Sequence, residues 1–249
     1  MIESYADAVV ARLEDSDWIV RKTSLETLGK LEPATLAQYA FAVVARLEDS
    51  EGAVRLEALA TLRQLEPPTL AEHACAVVAR LEDYDEDVRQ MALKTLGKLE
   101  PVTLAQHADA VVARLEDSIF YLRMLALETL GKLEPTMLAQ HADAVLARLD
   151  DSKGYARKTA LETLGKLEPA TLAPHVDAVI ARLEDSVESV HRLALETLVE
   201  LEPTLLAQHA DAVVARLEDS DGDVRYRALE TLGKLEPTML AQHADAVLA

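Results

Sequence analysis

The first candidates for chemistry are histidines that recur at one spacing. Six of the seven are 34 residues apart: His73, His107, His141, His175, His209 and His243. Zinc binds imidazole nitrogen at about 2.0–2.1 Å, whereas equivalent points on stacked helices lie about 8–10 Å apart. Neighbouring histidines therefore cannot readily share one ion, and we expect a scaffold position near a helix N-terminus, with no metal and no cofactor.

Other signatures of catalysis are missing from the sequence. There is no glycine-rich phosphate loop, no HExxH motif and no serine placed beside a histidine. A pair of carboxylates recurs at the same point of seven successive segments, which is typical of a scaffold rather than of one active site. Cys75 is the single cysteine, so an internal disulfide is excluded. We expect a protein that is not an enzyme.

The elements that would position these residues come from an internal repeat of 34 residues. One leucine marks it without a single insertion or deletion, at Leu13, Leu47, Leu81, Leu115, Leu149, Leu183 and Leu217. The repeats then run 1–34, 35–68, 69–102, 103–136, 137–170, 171–204 and 205–238, followed by a partial repeat at 239–249. We expect one domain over residues 1–249.

Each repeat has the pattern of two short helices. In the repeat 35–68, Thr35 and Gln38 match a capping box at the start of the first helix. Either Asp49 or Ser50 is expected to cap the second helix, and Pro67 to end it. Apolar residues recur at steps of three and four on both, as Leu36, Ala40, Val43, Leu47 and as Val54, Ala58, Leu62, Leu65.

Composition excludes several classes of function. Hydrophobic residues make up 50% of the chain but aromatic residues only 4%, and the formal net charge is −19. Such a polyanion repels nucleic acids and anionic membrane surfaces. No apolar run approaches the roughly 18 residues of a membrane span. The first residues lack a basic region followed by an apolar stretch, so we expect no signal peptide. We expect an intracellular, cytoplasmic protein.

The second helix resembles the HEAT family. The matching string is Leu-x-Asp-x-x-x-x-Val-Arg-x-x-Ala-x-x-x-Leu-Gly-x-Leu, carried in the first repeat by Leu13, Asp15, Val20, Arg21, Ser24 in place of Ala, Leu28, Gly29 and Leu31. The shorter HEAT-like repeats of phycobilin lyases and of engineered binding scaffolds are also similar. The resemblance implies an all-α, right-handed α-α superhelix, an α-solenoid with the second helices on its concave side.

The same resemblance implies a ladder of Asp–Arg pairs between repeats. The aspartates would be Asp15, Asp49, Asp83, Asp117, Asp151, Asp185 and Asp219, and the arginines Arg21, Arg55, Arg89, Arg123, Arg157 and Arg225. His191 interrupts the arginine row. HEAT-repeat deoxyhypusine hydroxylases bind iron through His-Glu pairs, and no histidine here is followed by glutamate.

Five positions vary while the frame around them is constant. They lie at the turn and the first two helical turns of the second helix, off the apolar stripe. The fourth repeat is apolar at all five, with Ile119, Phe120, Tyr121, Met124 and Leu125. Other apolar or aromatic residues at these positions are Trp18, Ile19, Met91, Tyr155 and Tyr226. Aromatic residues outside a core are typical anchors of a binding surface, so these ten residues are the predicted site.

The leading hypothesis is a protein- or peptide-binding scaffold. Its partner would carry an apolar or aromatic element with basic flanks, because acidic residues rim the predicted site. The alternatives are a structural spacer or self-assembling protein, with weak association through the solenoid ends, and more remotely a lyase-like subunit that handles a chromophore. A recently expanded natural gene and an engineered repeat library would both give such an array.

Overall fold

The computed structural model describes residues 2–241, with side chains from Tyr5 onward. The chain divides into two compact units, Met1–Leu133 (unit 1) and Glu134–Ala249 (unit 2). All regular structure among the described residues is helical. The single domain over 1–249 stays a prediction, and most of the partial repeat at 239–249 lies outside the described residues.

Unit 1 contains the helices of four repeats, each with a first layer of short helical segments followed by a longer second helix. Its α-helices are α1 (Ile2–Val10), α2 (Trp18–Leu28), α3 (Pro33–Leu36), α4 (Ala40–Ala45), α5 (Gly52–Leu62), α6 (Pro67–Ala71), α7 (Ala74–Ala79), α8 (Glu86–Leu96), α9 (Pro101–Ala105), α10 (Ala108–Ala113) and α11 (Phe120–Leu130). Short 3₁₀ segments lie at Ala11–Glu14, Ala37–Tyr39, Arg46–Glu48, Arg80–Glu82 and Arg114–Glu116. The second helices α2, α5, α8 and α11 pack side by side in that order.

Unit 2 repeats the pattern. Its α-helices are α12 (Pro135–Leu138), α13 (Ala142–Leu146), α14 (Gly154–Leu164), α15 (Pro169–Leu172), α16 (Val176–Ile180), α17 (Glu188–Leu198), α18 (Pro203–Gln208), α19 (Ala210–Val214), α20 (Gly222–Leu232) and α21 (Pro237–Leu240). The 3₁₀ segments are Ala139–His141, Ala147–Asp150, Ala173–His175, Ala181–Glu184 and Ala215–Glu218. The second helices α14, α17 and α20 pack side by side.

From the second repeat onward, the first layer, which is the set of short helices before each long second helix, begins at a proline. Pro33 is the first helical residue of α3, and the Glu32 carbonyl accepts hydrogen bonds from the Thr35 and Leu36 N–H groups at 2.9 Å. Proline suits this place because its fixed φ is helical and its missing N–H would have no partner there. The predicted capping box at Thr35 and Gln38 is therefore wrong, since the helix has already begun. Pro67 likewise starts α6, and α5 has ended at Leu62.

The caps of the second helices also differ from the prediction. Asp49 does not cap α5; its carboxylate accepts hydrogen bonds from the Glu51 N–H at 3.0 Å and from Arg21. The N-cap residue of α5 is Glu51, one position after Ser50 and two after Asp49, and its side chain makes no capping hydrogen bond. Where that residue is aspartate it does cap, as in α2, where Asp17 accepts from the Ile19 N–H at 2.8 Å.

The two apolar stripes predicted for residues 35–68 are confirmed. All eight residues are buried, and so are the corresponding stripe residues Leu122, Ala126, Leu130 and Leu133 of the fourth repeat. The second helix buries more than one stripe, because Leu59 and Leu127 are also fully buried. A helix with a neighbour on each side, packed against the first layer, loses exposure on three faces, so the core continues from one repeat to the next within each unit.

The Asp–Arg ladder is present in both units. Arg21 Nε and Nη2 donate to the Asp49 carboxylate at 2.7 and 2.8 Å, while Nη1 donates to the Asp15 carbonyl at 2.9 Å. The pairs Arg55–Asp83, Arg89–Asp117 and Arg157–Asp185 repeat the contact. Burial raises the pKa of Asp49, but hydrogen bonds from Arg21 and the Glu51 N–H outweigh it, and the pKa is lowered. The ladder joins consecutive repeats.

The ladder weakens at the sixth repeat, as the sequence predicted. His191 Nδ1 lies 3.6 Å from Asp219 Oδ2, too far for a hydrogen bond. Both ring nitrogens are buried without a hydrogen-bond partner among the described residues. The shorter imidazole does not reproduce the two-pronged contact of a guanidinium.

A second arginine row, which the sequence did not predict, joins the first layers to the preceding repeat. Arg46 Nη1 donates to the Leu13 carbonyl at 2.7 Å, and Arg80 Nη1 to the Leu47 carbonyl at 2.8 Å. The same contact is made by Arg114, Arg182 and Arg216. Each arginine covers a carbonyl at the end of a helical layer, which would otherwise lack a partner.

Within residues 2–241, no helix is both long and apolar enough to cross a membrane.

Candidate functional site

The variable positions of the fourth repeat surround the start of α11. Ile119 occupies the N-cap position with φ −86° and ψ 113°, and Phe120 is the first helical residue. The N-cap residue of α8, Asp85, has nearly the same backbone angles, φ −84° and ψ 123°, and its carboxylate accepts from the Asp87 N–H at 2.9 Å. The fourth repeat therefore has capping geometry but an aliphatic side chain that cannot cap.

The apolar side chains at this helix start are partly open to solvent. Phe120 is 39% exposed, whereas Ile119, Tyr121 and Met124 are half-buried. Met91 is half-buried on α8 but holds the repeat position of Leu125, which faces the preceding repeat, so it is not grouped with the start of α11 and its role in binding stays a prediction. We name the four residues Ile119, Phe120, Tyr121 and Met124 the central patch. Its exposed centre is one aromatic ring, set among side chains that are partly covered by the protein itself.

Leu125 does not belong to this surface, and its prediction as a contact residue is wrong. The side chain is buried, with 7% exposure. The equivalent Thr23 of the first repeat is exposed, which indicates that the position faces the preceding repeat. In the fourth repeat that neighbour is α8, so Leu125 serves the packing between repeats.

Carboxylates lie at the edge of the central patch. In the second repeat, a Cβ added to Gly52 would come within 2.5 Å of Asp85 Oδ2, so this helical position adjoins the N-cap residue of the next repeat. Glu86 and Ile119 are the residues 34 positions after Gly52 and Asp85, so the same relation places Glu86 beside Ile119. Glu86 and Asp87 are both exposed in the first turn of α8. The apolar centre therefore has an acidic border.

Two further predicted residues lie at the first helix pair of unit 1. Trp18 and Ile19 begin α2, and Trp18 is 41% exposed. Ile19 lines an apolar groove of about 380 Å³ together with Tyr5, Val9 and Val20. These residues lie three repeats before α11, and the structure does not bring them into the central patch.

Unit 2 contains the remaining two predicted residues. Tyr155, on α14, is 72% exposed, and Tyr226 is exposed on α20. The Arg227 guanidinium carbon lies 5.6 Å from the Tyr226 ring centre, within the range of a cation–π contact. Their role in binding stays a prediction.

The histidine column has a structural place. His73 precedes α7 with φ −112° and ψ 6°, and its carbonyl accepts from the Ala76 N–H at 3.1 Å, where the first layer restarts as a helix. His107, His141, His175 and His209 hold the same position, which confirms the prediction of a helix N-terminus; His243 lies outside the described residues. Within residues 5–241, no group of three or more His, Cys, Asp and Glu is placed to hold a metal ion.

One cluster was missed by the sequence argument. Arg63, Gln64, Lys94, Gly97, Lys98 and Lys132 line a pocket of about 390 Å³ in unit 1. The sequence signal that could have indicated it is two residues that differ from the usual residue at their repeat position. Arg63 stands where five of the seven repeats have glycine, and Lys94 where five have glutamate.

Comparisons with known proteins agree with this architecture. The family model for HEAT repeats matches residues 40–131 and 76–165, together about half of the chain. No curated protein sequence matches this chain. The crystal structure of an engineered protein from the Northeast Structural Genomics Consortium is similar, with a TM-score of 0.71 over 97% of this chain and 71% of that chain. Its sequence identity of 15% supports the fold alone. The prediction of an all-α solenoid is confirmed, and the chain belongs to the HEAT repeat family.

Proposed function

We propose that this chain is a non-catalytic scaffold that binds a protein or peptide through the second helices of its repeats, centred on the central patch. The observation that carries the proposal is the start of α11. Phe120 begins α11 and is 39% exposed, and the side chains of Ile119, Tyr121 and Met124 around it are only half-buried. An aromatic ring left open among apolar neighbours is typical of an interaction surface. HEAT solenoids typically serve as non-enzymatic scaffolds.

The partner's chemistry follows from the patch and its border. An apolar or aromatic side chain fits against Phe120, since central desolvated aromatics carry much of the energy of an interface. Basic residues on either side of that element would face Glu86 and Asp87. Such charges mainly raise the association rate and select among partners. Trp18, Ile19, Tyr155 and Tyr226 would extend contact at other repeats.

A peptide library displayed on phage tests this proposal directly. Selection on the purified chain should enrich peptides with an aromatic or aliphatic residue flanked by lysine or arginine. Phe120→Ala should weaken the selected peptides by about 2 kcal/mol or more, about 30-fold, because the aromatic anchor is lost. The helical circular dichroism of the variant should stay as in the wild type.

The matched control is the other phenylalanine. Phe41 is exposed on α4, in the first layer of the second repeat, and is not one of the variable positions. Phe41→Ala should leave peptide binding unchanged. Equal binding by Phe120→Ala and the wild type would refute the assignment of the site, as would unfolding of Phe120→Ala.

The alternatives give different results in the same preparation. A structural spacer or self-assembling protein would select no peptide, and its mass by light scattering would rise with concentration. A chromophore-handling subunit would retain a coloured ligand on purification. Location in the cytoplasm is part of the proposal and is checked by fractionation of the expressing cell.

A further inference from the structure

A basic pocket lies apart from the central patch, where three second helices of unit 1 end. Arg63 follows α5, Lys94 lies in the last turn of α8, and Lys98 and Lys132 follow α8 and α11. Together with Gln64 and Gly97 they line the pocket of about 390 Å³, and no carboxylate is among the lining residues. In a chain of formal net charge −19, four converging cations form an exceptional surface.

Two of these cations serve the scaffold. Lys98 Nζ donates to the carbonyls of Arg63 and Leu65 at 2.8 and 2.7 Å, and Lys132 Nζ donates to the Gly97 carbonyl. They neutralise the partial negative charge at the ends of α5 and α8, which would otherwise repel an anion. A side chain on Gly97 would crowd Lys132, because an added Cβ would come within 2.9 Å of its Nζ.

Among the described residues, the side chains of the other two cations, Arg63 and Lys94, make no such contact with the scaffold. Within the described part of the chain, the side chains of Arg63 and Lys94 make neither a hydrogen bond nor an ion pair. They are also the residues that depart from the repeat, which has mostly glycine at the first position and glutamate at the second. Lys94 replaces the negative charge that Glu128 carries one repeat later, so the pocket is positive only in this part of the array.

We propose that the basic pocket binds a phosphate dianion, either inorganic phosphate or the phosphate monoester of a phosphorylated side chain on a partner protein. Arg63 offers a planar fork of donors and Lys94 three N–H groups. Lys98 retains one N–H and Lys132 two after their contacts with carbonyls. A dianion with three terminal oxygens matches this set, whereas a long polyanion is repelled by the remainder of the chain.

Nuclear magnetic resonance titration of the ¹⁵N-labelled chain tests the site with two probes. One is inorganic phosphate, and the other is a phosphoserine peptide with two alanines on each side, compared with its unphosphorylated form. Both phosphorylated probes should shift the amide signals of Arg63, Lys94 and Lys98. Tighter binding of the peptide would assign the site to phosphorylated proteins, and tighter binding of inorganic phosphate to the free ion.

The variants restore residues that other repeats contain at the same positions, so the fold should tolerate them. Arg63→Gly and Lys94→Glu should each weaken phosphate binding at least about tenfold, because a charged hydrogen-bond partner is lost. Lys153→Glu is the control, since it makes the same change of charge at an exposed position of unit 2. Undisturbed amide signals with both probes, or equal binding by Lys94→Glu and the wild type, would overturn the proposal.

Discussion

The start of α11 allows the binding role of Ile119 to be separated from its effect on stability. Ile119→Ser and Ile119→Ala remove nearly the same apolar side chain, and only serine can accept a hydrogen bond from the exposed N–H groups of the first turn. The backbone angles at Ile119 match those at Asp85, where a side-chain cap forms at 2.9 Å. We therefore expect serine to cap and alanine not to.

The size of the difference follows from measured caps. Replacing a capping side chain by alanine costs about 1 kcal/mol. The equilibrium constant of unfolding should therefore be about fivefold lower for Ile119→Ser than for Ile119→Ala. Urea denaturation followed by helical circular dichroism measures this as a shift of the midpoint with an unchanged slope. Both variants should bind a patch-directed peptide more weakly than the wild type, and equally so.

Glu51 provides the control pair. It occupies the N-cap position of α5 with φ −93° and ψ 124°, makes no side-chain cap and is exposed. Glu51→Ser should exceed Glu51→Ala in stability by a similar amount, with no effect on peptide binding. If serine gains nothing over alanine at position 119 but does so at 51, the capping geometry of α11 is wrong. If Ile119→Ser binds peptide as the wild type does, Ile119 lies outside the site.

Two other predictions concern the ladder. His191→Arg should stabilise the protein by about 1 kcal/mol, since a guanidinium can reach both oxygens of Asp219; a lower denaturation midpoint would contradict this. Stability should also depend on pH. The ladder aspartates whose pKa values lie below the ordinary value of 3.8 are Asp49, Asp83 and Asp185. Because the folded pKa is the lower one, their stabilisation is complete above about pH 5 and is lost as pH falls through the folded values. Denaturation midpoints should fall over this acid range, and less steeply in Asp83→Asn.

The repeat and the helical class could be predicted because each depends on residue type and spacing within one repeat. The ladder, which joins Arg21 to Asp49 of the next repeat, was expected from the resemblance to the HEAT family. Leucine every 34 residues marks the period, and the stripe from Val54 to Leu65 specifies one buried helix face. The start of the first helix was misplaced by three residues, from Glu32 to Thr35 as the N-cap, because the proline was read as the end of one helix when it begins the next. By sequence alone, Pro33 could either end the preceding helix or begin the next one.

The sequence and the structure agree on part of the candidate surface, whose role in binding stays a prediction. The aromatic departure at Phe120 was visible by comparing repeats, and the structure leaves this ring exposed. Leu125 was assigned to the same surface because it lies off the stripe of its own helix. The basic pocket went unnoticed because Arg63 and Lys94 are 31 positions apart and in different repeats.

By itself, the sequence determined a stack of two-helix repeats, their buried stripes and the positions at which they differ. Only the tertiary structure decided which of the differing positions face solvent. The physical reason is that a second helix is covered by its neighbours, 34 residues away along the chain, as well as by its own first layer. The same side-by-side packing buries Leu125 against α8, leaves Phe120 open and gathers Arg63, Lys94 and Lys132 from three helices into one pocket.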